Sequence, residues 1–175
     1  MAWNPTYKVN LLDVLDKAFT SDELKDALRP TVAESGFKAL YGQRVVDEIV
    51  VRTREENIDK KGRSLGTYST SYKDSLVFQI YKDGQRKVDL TLTGEMLESL
   101  RAKASRYDIT VFLDGDDNRA KAQGHITGLY GSKGKSKPRD FLGLPSKEEV
   151  RIFKEAMKDY RNMSAFTMAE MYFGS

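Results

Sequence analysis

The stretch Gly128–Arg139, GLYGSKGKSKPR, contains the residue types that come closest to a nucleotide-binding motif. A P-loop needs a glycine five positions before the glycine of its Gly-Lys-Ser, because backbone N–H groups of the loop must surround the phosphates. Counting back from Gly134 gives Leu129, with Gly128 one position away. Pro138 then follows where the motif requires the start of a helix. This spacing argues against nucleotide binding and favours a basic loop.

A second pattern, DGDDN, offers oxygen ligands at the spacing of a calcium loop through Asp114, Asp116 and Asn118. A calcium loop also needs glycine at its sixth position and glutamate at its twelfth. Those positions hold Arg119 and His125. The pattern fits a turn that caps a helix, so we predict no metal site here.

His125 is the only histidine of the chain. A catalytic histidine requires an orienting carboxylate and a positioned hydroxyl, and the sequence contains no nucleophile elbow to place one. Ser132 and Lys135 match the Ser-x-x-Lys spacing, but they lie in a glycine-rich loop instead of on the rigid helical turn that such a pair needs. We therefore predict that the protein is not an enzyme, has no cofactor, and uses His125 for packing or hydrogen bonding.

Two basic segments are candidates for contact with DNA or with a protein partner. Their basic residues are Lys60, Lys61 and Arg63 in the first, and Lys133, Lys135, Lys137 and Arg139 in the second. Flexible cationic loops suit DNA phosphates or an acidic protein surface, although a solvated loop is the simpler interpretation. The net charge of the chain is only +3, so any contact with nucleic acid must be local.

The length and composition favour one globular domain covering residues 1–175. The absence of cysteine excludes disulfides and thiolate metal sites. The first ten residues lack the apolar region of a signal peptide, and no apolar run approaches the ~20 residues that span a membrane. We therefore expect neither export nor membrane insertion.

Apolar spacing predicts the elements that position these residues. We predict a long helix from Thr31 to about Asn57, a hairpin of strands Leu76–Tyr81 and Val88–Leu92, a helix capped by Thr93, a strand Ile109–Leu113, and helices Arg119–Ile126 and from Ser146 onward. The predicted core is Val45, Ile49, Phe78, Leu90, Leu92, Leu97, Leu100, Val111, Leu113, Phe141, Leu142, Val150 and Phe153. The fold class is α+β, with a small, mostly antiparallel sheet packed by a long N-terminal helix and a C-terminal helix, and with long loops.

Two terminal segments are candidates for docking on other subunits, because each carries large apolar residues without an obvious partner in sequence. They are an extended arm, residues 1–10, and an apolar tail, residues 165–175. The docking residues would be Trp3, Tyr7, Phe166, Met168, Tyr172 and Phe173. We expect these segments and the two long loops, Asp59–Tyr72 and Gly128–Arg139, to carry most contacts between subunits.

The order of several short motifs resembles the virion morphogenesis family, the tail-completion and neck proteins of tailed bacteriophages. After a long helix come YSTSY at residues 68–72, LTGEMLESL at 92–100, NRAKAQGHITG at 118–128 and PRDFLGL at 138–144. The similarity extends from about Val45 to Met157. Asp140 departs from the family pattern, which more often goes from arginine straight to proline and phenylalanine, and the extension around Trp3 has no family counterpart.

The resemblance implies a structural virion protein without catalysis, which forms a ring at the head–tail junction. Its implied partners are itself, as a hexamer in preference to a dodecamer, the portal or connector, and tail-terminator or tail-tube proteins. DNA would pass through the channel of such a ring, and assembly would take place in the host cytoplasm. The alternatives are a DNA- or nucleotide-acting enzyme and a small DNA-binding module.

Overall fold

The computed structural model describes residues 4–82, 87–90, 94–129 and 137–173, with the backbone alone for 164–173. This part of the chain contains eight helices and a small antiparallel sheet of three strands, which confirms the predicted α+β class. In chain order the elements are β1 (Thr6–Asn10), α1 (Leu11–Ala18), α2 (Asp22–Ala33), α3 (Ser35–Arg54), α4 (Thr70–Lys73), α5 (Leu76–Lys82), α6 (Glu95–Glu98), β2 (Leu100–Ala104), β3 (Asp108–Leu113), α7 (Asp116–Thr127) and α8 (Ser146–Phe173).

The sheet has the strand order β1-β3-β2, so the predicted strand Ile109–Leu113 is correct and lies at its centre. Ile109, Val111 and Leu113 are buried and alternate with less buried residues, which is the period of a strand. The other two strands are not the predicted ones. β1 comes from the N-terminal segment, and β2 begins at Leu100, in a stretch for which the sequence predicts no strand.

The predicted strand Leu76–Tyr81 is wrong, because these residues form helix α5. A short apolar run fits either element, and periodicity alone cannot separate them. The deciding signal lies just before the run, where the Ser75 hydroxyl accepts a hydrogen bond from the Phe78 N–H at 3.2 Å.

The predicted returning strand Val88–Leu92 is also wrong in the part that the structure describes. The bridge between Lys87 and Thr67 is isolated and does not continue as a ladder, and the Val88 N–H donates to the carbonyl of Gly66. Leu90 has a φ of 54°, a left-handed conformation that strands exclude. Leu92 and the predicted Thr93 cap lie outside the described residues.

The long N-terminal helix is two helices, since Glu34 adopts an extended conformation between α2 and α3. α3 ends at Arg54, and Asn57 then takes a left-handed φ of 60°. Asparagine tolerates this conformation better than most residues. The predicted helices at the other end of the chain are confirmed as α7 and α8.

The chain divides into two compact units. One consists of residues 8–45, 102–110 and 146–175, in which α1 packs on α8. Its core contains three fully buried aromatic rings. Phe153 lies edge-on to Phe37 and Tyr41, with ring centroids 5.4 and 5.6 Å apart. This unit also contains Val150, a predicted core residue that is only partly buried.

The other unit consists of residues 1–7, 46–101 and 111–145. Its buried apolar residues include the predicted Ile49, Phe78, Leu90, Leu97, Leu100, Val111, Leu113, Phe141 and Leu142. The prediction missed Leu65, which is 1% exposed although it lies in a stretch without periodicity. This unit carries both basic segments and helix α5.

Candidate interaction surfaces

The described residues of the two basic segments lie side by side in this second unit. Lys137 Nζ donates a hydrogen bond to the carbonyl of Ser64 at 3.3 Å, and Arg139 Nε donates one to the carbonyl of Leu65 at 3.2 Å. Ser64 directly follows Arg63, so Lys137 and Arg139 lie along the loop that contains the first segment. Residues 74 positions apart thus form one basic surface.

Asp59 organises the loop that carries Lys60, Lys61 and Arg63. Its Oδ1 accepts the backbone N–H groups of Lys61 and Arg63 at 2.8 and 2.9 Å, and its Oδ2 accepts two guanidinium bonds from Arg63. Burial opposes the charge of Asp59, but the hydrogen bonds from Arg63 and Lys61 outweigh it and hold the pKa of the carboxyl below its ordinary value. The buried Arg52 donates to the carbonyl of Asp59.

Not every charge of the basic surface is directed to solvent. Lys60 forms an ion pair with Asp140 at 2.5 Å, and Arg63 pairs with Asp59 at 2.7 Å. Lys61 and Lys137 are exposed. Lys133 and Lys135 lie outside the described residues. The described part of the surface therefore has five basic and two acidic groups, which leaves it moderately positive.

His125 lies on α7, and its backbone carbonyl accepts the Arg139 N–H at 2.8 Å. Burial, together with the charge of Arg139, lowers the pKa of His125 to about 4. The imidazole is therefore neutral at neutral pH. Within the described ranges, no group of three histidine, aspartate or glutamate residues is placed to hold a metal ion.

A small open cavity of about 230 Å³ lies next to the basic surface. It is lined by Asn4, Pro5, Thr6, Lys60, Ile126, Asp140 and Leu142. Its only charged side chains, Lys60 and Asp140, are paired with each other. No histidine, serine or further carboxylate is among the residues that line this cavity.

Helix α5 exposes a continuous apolar surface, which we call the α5 face. It consists of Leu76, Val77, Ile80 and Tyr81, with exposed fractions of 70, 46, 65 and 59%. Only Phe78 of its large apolar residues is buried. The predicted strand gives no indication of this face, because a strand would direct alternate residues of the run inward.

The opposite side of α5 carries a buried charge. Lys82 and Asp89 are 8 and 7% exposed, and Lys82 Nζ lies 2.7 and 2.5 Å from the two carboxylate oxygens of Asp89. The Tyr68 hydroxyl donates to Asp89 Oδ1 at 2.7 Å. The helix thus has its lysine inside and its leucine, valine, isoleucine and tyrosine outside.

Three aromatic rings pack together at the buried side of α5, one of them from α5 itself. Tyr68, Tyr72 and Phe78 lie with every pair of ring centroids 5.3 Å apart. Burial, followed by the hydrogen bond to Asp89, raises the pKa of Tyr68 far above its ordinary value, so its hydroxyl stays protonated and remains a donor. The rings and the ion pair together fix which side of α5 faces outward.

The predicted docking residues are distributed between described and undescribed parts of the chain. Tyr7 is half-buried on β1, and its ring lies beside Gly143. Trp3 lies outside the described residues, as do the side chains of Phe166, Met168, Tyr172 and Phe173. The backbone of the last four belongs to α8.

No protein-family model, curated protein or solved structure matches this chain. Among the helices that the structure describes, none has both the length and the apolar character needed to cross a membrane.

We expect the change Asp89→Asn to destabilise the protein by about 3–5 kcal/mol, because it removes the negative partner of a buried lysine. The double change Lys82→Met with Asp89→Leu should recover most of that loss, since an apolar pair needs no charge compensation. Urea unfolding followed by circular dichroism measures both. Glu95→Gln breaks a surface pair with Lys121 and should change stability by less than about 1 kcal/mol. A double variant as unstable as Asp89→Asn would contradict this account.

We expect stability to fall as the pH is lowered from about 6.5 to about 4, and part of that fall to come from His125. In this interval the unfolded chain binds a proton on the imidazole and the folded chain does not, because burial lowers the pKa to about 4. The contribution is up to roughly 3 kcal/mol and levels off below the folded pKa. The variant His125→Gln should lose this part of the pH dependence in urea unfolding at pH 7, 5.5 and 4. If the free energy of unfolding changes with pH equally in the unchanged protein and in His125→Gln, His125 does not contribute to the pH dependence.

Proposed function

We propose that this protein is a structural component of a tailed-bacteriophage virion that forms a ring at the head–tail junction. It would join the portal or connector to the tail, with a hexamer favoured over a dodecamer, and would be assembled in the host cytoplasm. The order of motifs from YSTSY at 68–72 to PRDFLGL at 138–144 supports this class of protein.

The α5 face is the observation that carries the proposal. Large exposed apolar patches on soluble proteins mark sites where another macromolecule binds. Here the patch is built into the fold, since the Lys82–Asp89 pair and the rings of Tyr68 and Tyr72 hold the other side of the helix. A protein whose work is assembly requires such a surface, whereas an enzyme of this size would need a cavity with reactive groups.

We expect the change Ile80→Asp to block the joining of heads to tails without unfolding the protein. Ile80 is 65% exposed, so a charge there is solvated in the free subunit and buried only on assembly. Electron microscopy of lysates from a phage carrying the variant should show filled heads and separate tails. Leu24→Asp, at a 38% exposed position on α2, is the matched control and should leave joining intact.

Two results would overturn the proposal. One is the absence of the protein from purified virions, measured by mass spectrometry, together with normal particles when the protein is missing. The other is turnover of a nucleotide or cleavage of DNA by the purified protein with Mg²⁺, because that activity would favour an enzyme.

The juxtaposed basic segments favour a second candidate function, contact with the DNA backbone. Lys61 and Lys137 are exposed, and the residues that hold them, Asp59 and Ser64, belong to the same loop. Such contact is independent of sequence and depends on released counterions. It is compatible with a ring that surrounds DNA and with a separate DNA-binding module.

We expect the double change Lys61→Gln and Lys137→Gln to weaken binding to duplex DNA and to reduce the slope of log K against log salt by about 2, since each phosphate contact contributes ~0.9. Fluorescence anisotropy over a salt series measures this. Lys103→Gln with Lys158→Gln removes the same charge from exposed positions of the other unit and should leave the slope unchanged. If both double variants lose the same DNA affinity and the same salt slope, only the net charge matters, and the basic surface has no particular role in DNA contact.

A further inference from the structure

We infer that the α5 face is the binding site for the C-terminal end of α8 from a second copy of this chain. The inference rests on the proposed function, because a ring requires one contact of this kind to be repeated around its circumference. It names the partner that would cover the four exposed apolar side chains.

The site is preorganised for a helical partner. α5 is seven residues long, and its exposed residues at positions 76, 77, 80 and 81 share one side of the helix. Lys82 and Phe78 are buried on the other side, through the ion pair to Asp89 and the contacts with Tyr68 and Tyr72. Binding on the exposed side therefore requires no repacking of the unit beneath.

The proposed occupant is the end of α8, a helix whose last described side chains are exposed. Met157 is the last buried residue of α8 in the described side chains, and residues 161–163 are exposed, Met163 by 60%. The backbone remains helical to Phe173. From Arg161 onward the helix is about 20 Å long at 1.5 Å per residue, more than enough to cross the ~10 Å of α5.

The sequence of that end has the pattern of an amphipathic helix. Ala165, Met168, Ala169 and Tyr172 recur at the i, i+3, i+4, i+7 spacing of one helical face. Phe166 and Phe173 are one full heptad apart beside that row. An apolar row on one helix and an apolar face on another provide the elements of helix-on-helix packing.

The size of the α5 face favours a repeated contact between copies over a single contact with another protein. Four side chains expose an area on the order of a few hundred Å². A stable one-to-one complex usually buries about 800 Å² on each partner, so this face alone is too small for one. In a ring each copy makes the contact twice, once through α5 and once through α8. When the ring closes, the binding free energies of all these contacts act together.

The two surfaces also have the asymmetry that a ring needs. A two-fold dimer brings the same surface of both copies together, whereas a ring joins two different surfaces. Here the different surfaces lie in different compact units, α5 in one and the end of α8 in the other. One chain therefore supplies both halves of a heterologous contact.

Disulfide trapping tests the inference directly, because the natural chain has no cysteine. One tagged variant carries Ile80→Cys and a second, differently tagged variant carries Tyr172→Cys. The two are mixed at concentrations that permit assembly, oxidised, and separated by size without reductant. We expect a covalent pair containing both tags, since a disulfide forms only when the two Cα atoms approach within about 7 Å. Gln79→Cys, exposed but outside the α5 face, is the matched control and should give several-fold less product.

A chain carrying both Ile80→Cys and Tyr172→Cys separates contact between copies from contact within one chain. Contact between copies gives a ladder of linked subunits that ends at the ring size. A product that keeps the mass of one subunit would overturn the inference, as would equal trapping from Gln79→Cys. Trapping of Ile80→Cys exclusively with another virion protein would also overturn it, while leaving the proposed function standing.

A pair of charge variants tests the same contact without oxidation. Ile80→Asp and Tyr172→Asp should each abolish self-association in sedimentation velocity, and the double variant should show no further loss, because both remove one contact. Self-association unchanged by either variant would overturn the inference even if heads still fail to join tails. If the protein is instead absent from virions, the proposed function fails independently of this result.

Discussion

The buried ion pair between Lys82 and Asp89 is the constraint on which the outer surface of the protein depends. A lysine inside a small unit is costly unless a carboxylate accepts its hydrogen bonds, and here Asp89 does so with both oxygens while also accepting a hydrogen bond from the Tyr68 hydroxyl. Because Lys82 points inward, the rest of α5 is rotated so that Ile80 and Tyr81 point outward. An apolar residue at position 82 would remove the positive charge that pairs with Asp89. Only packing would then determine which side of α5 faces outward.

The sequence predicts the elements whose periodicity is long or whose alternation is clear. β3, with Ile109, Val111 and Leu113 buried on one side, is such a strand, and the start of α8 at Ser146 is such a helix. The fold class followed from these elements. The run Leu76–Tyr81 could not be assigned in this way, because six apolar-rich residues satisfy both periods and the spacing does not show the Ser75 cap that decides for a helix.

Of the candidate surfaces, the sequence predicted only the charged residues. Lys61 and Lys137 could be named from composition, but their proximity depends on backbone carbonyls at Ser64 and Leu65, for which residue type gives no signal. The α5 face was not predicted, because a pattern of apolar residues indicates burial. Such a pattern cannot show which helix or strand of the fold keeps its apolar side exposed to solvent. Its signal was present at Lys82, a charged residue at the end of an apolar run.

The left-handed backbone of Leu90 has a consequence for which residues that position accepts. A φ of 54° costs a non-glycine residue on the order of 1–2 kcal/mol, while the side chain is only 6% exposed and contributes by its burial. Alanine would keep the backbone cost and lose most of the burial, whereas glycine would lose the burial and the cost together. Glycine is therefore the better-tolerated small residue at position 90, the reverse of the usual preference for alanine over glycine in ordered backbone.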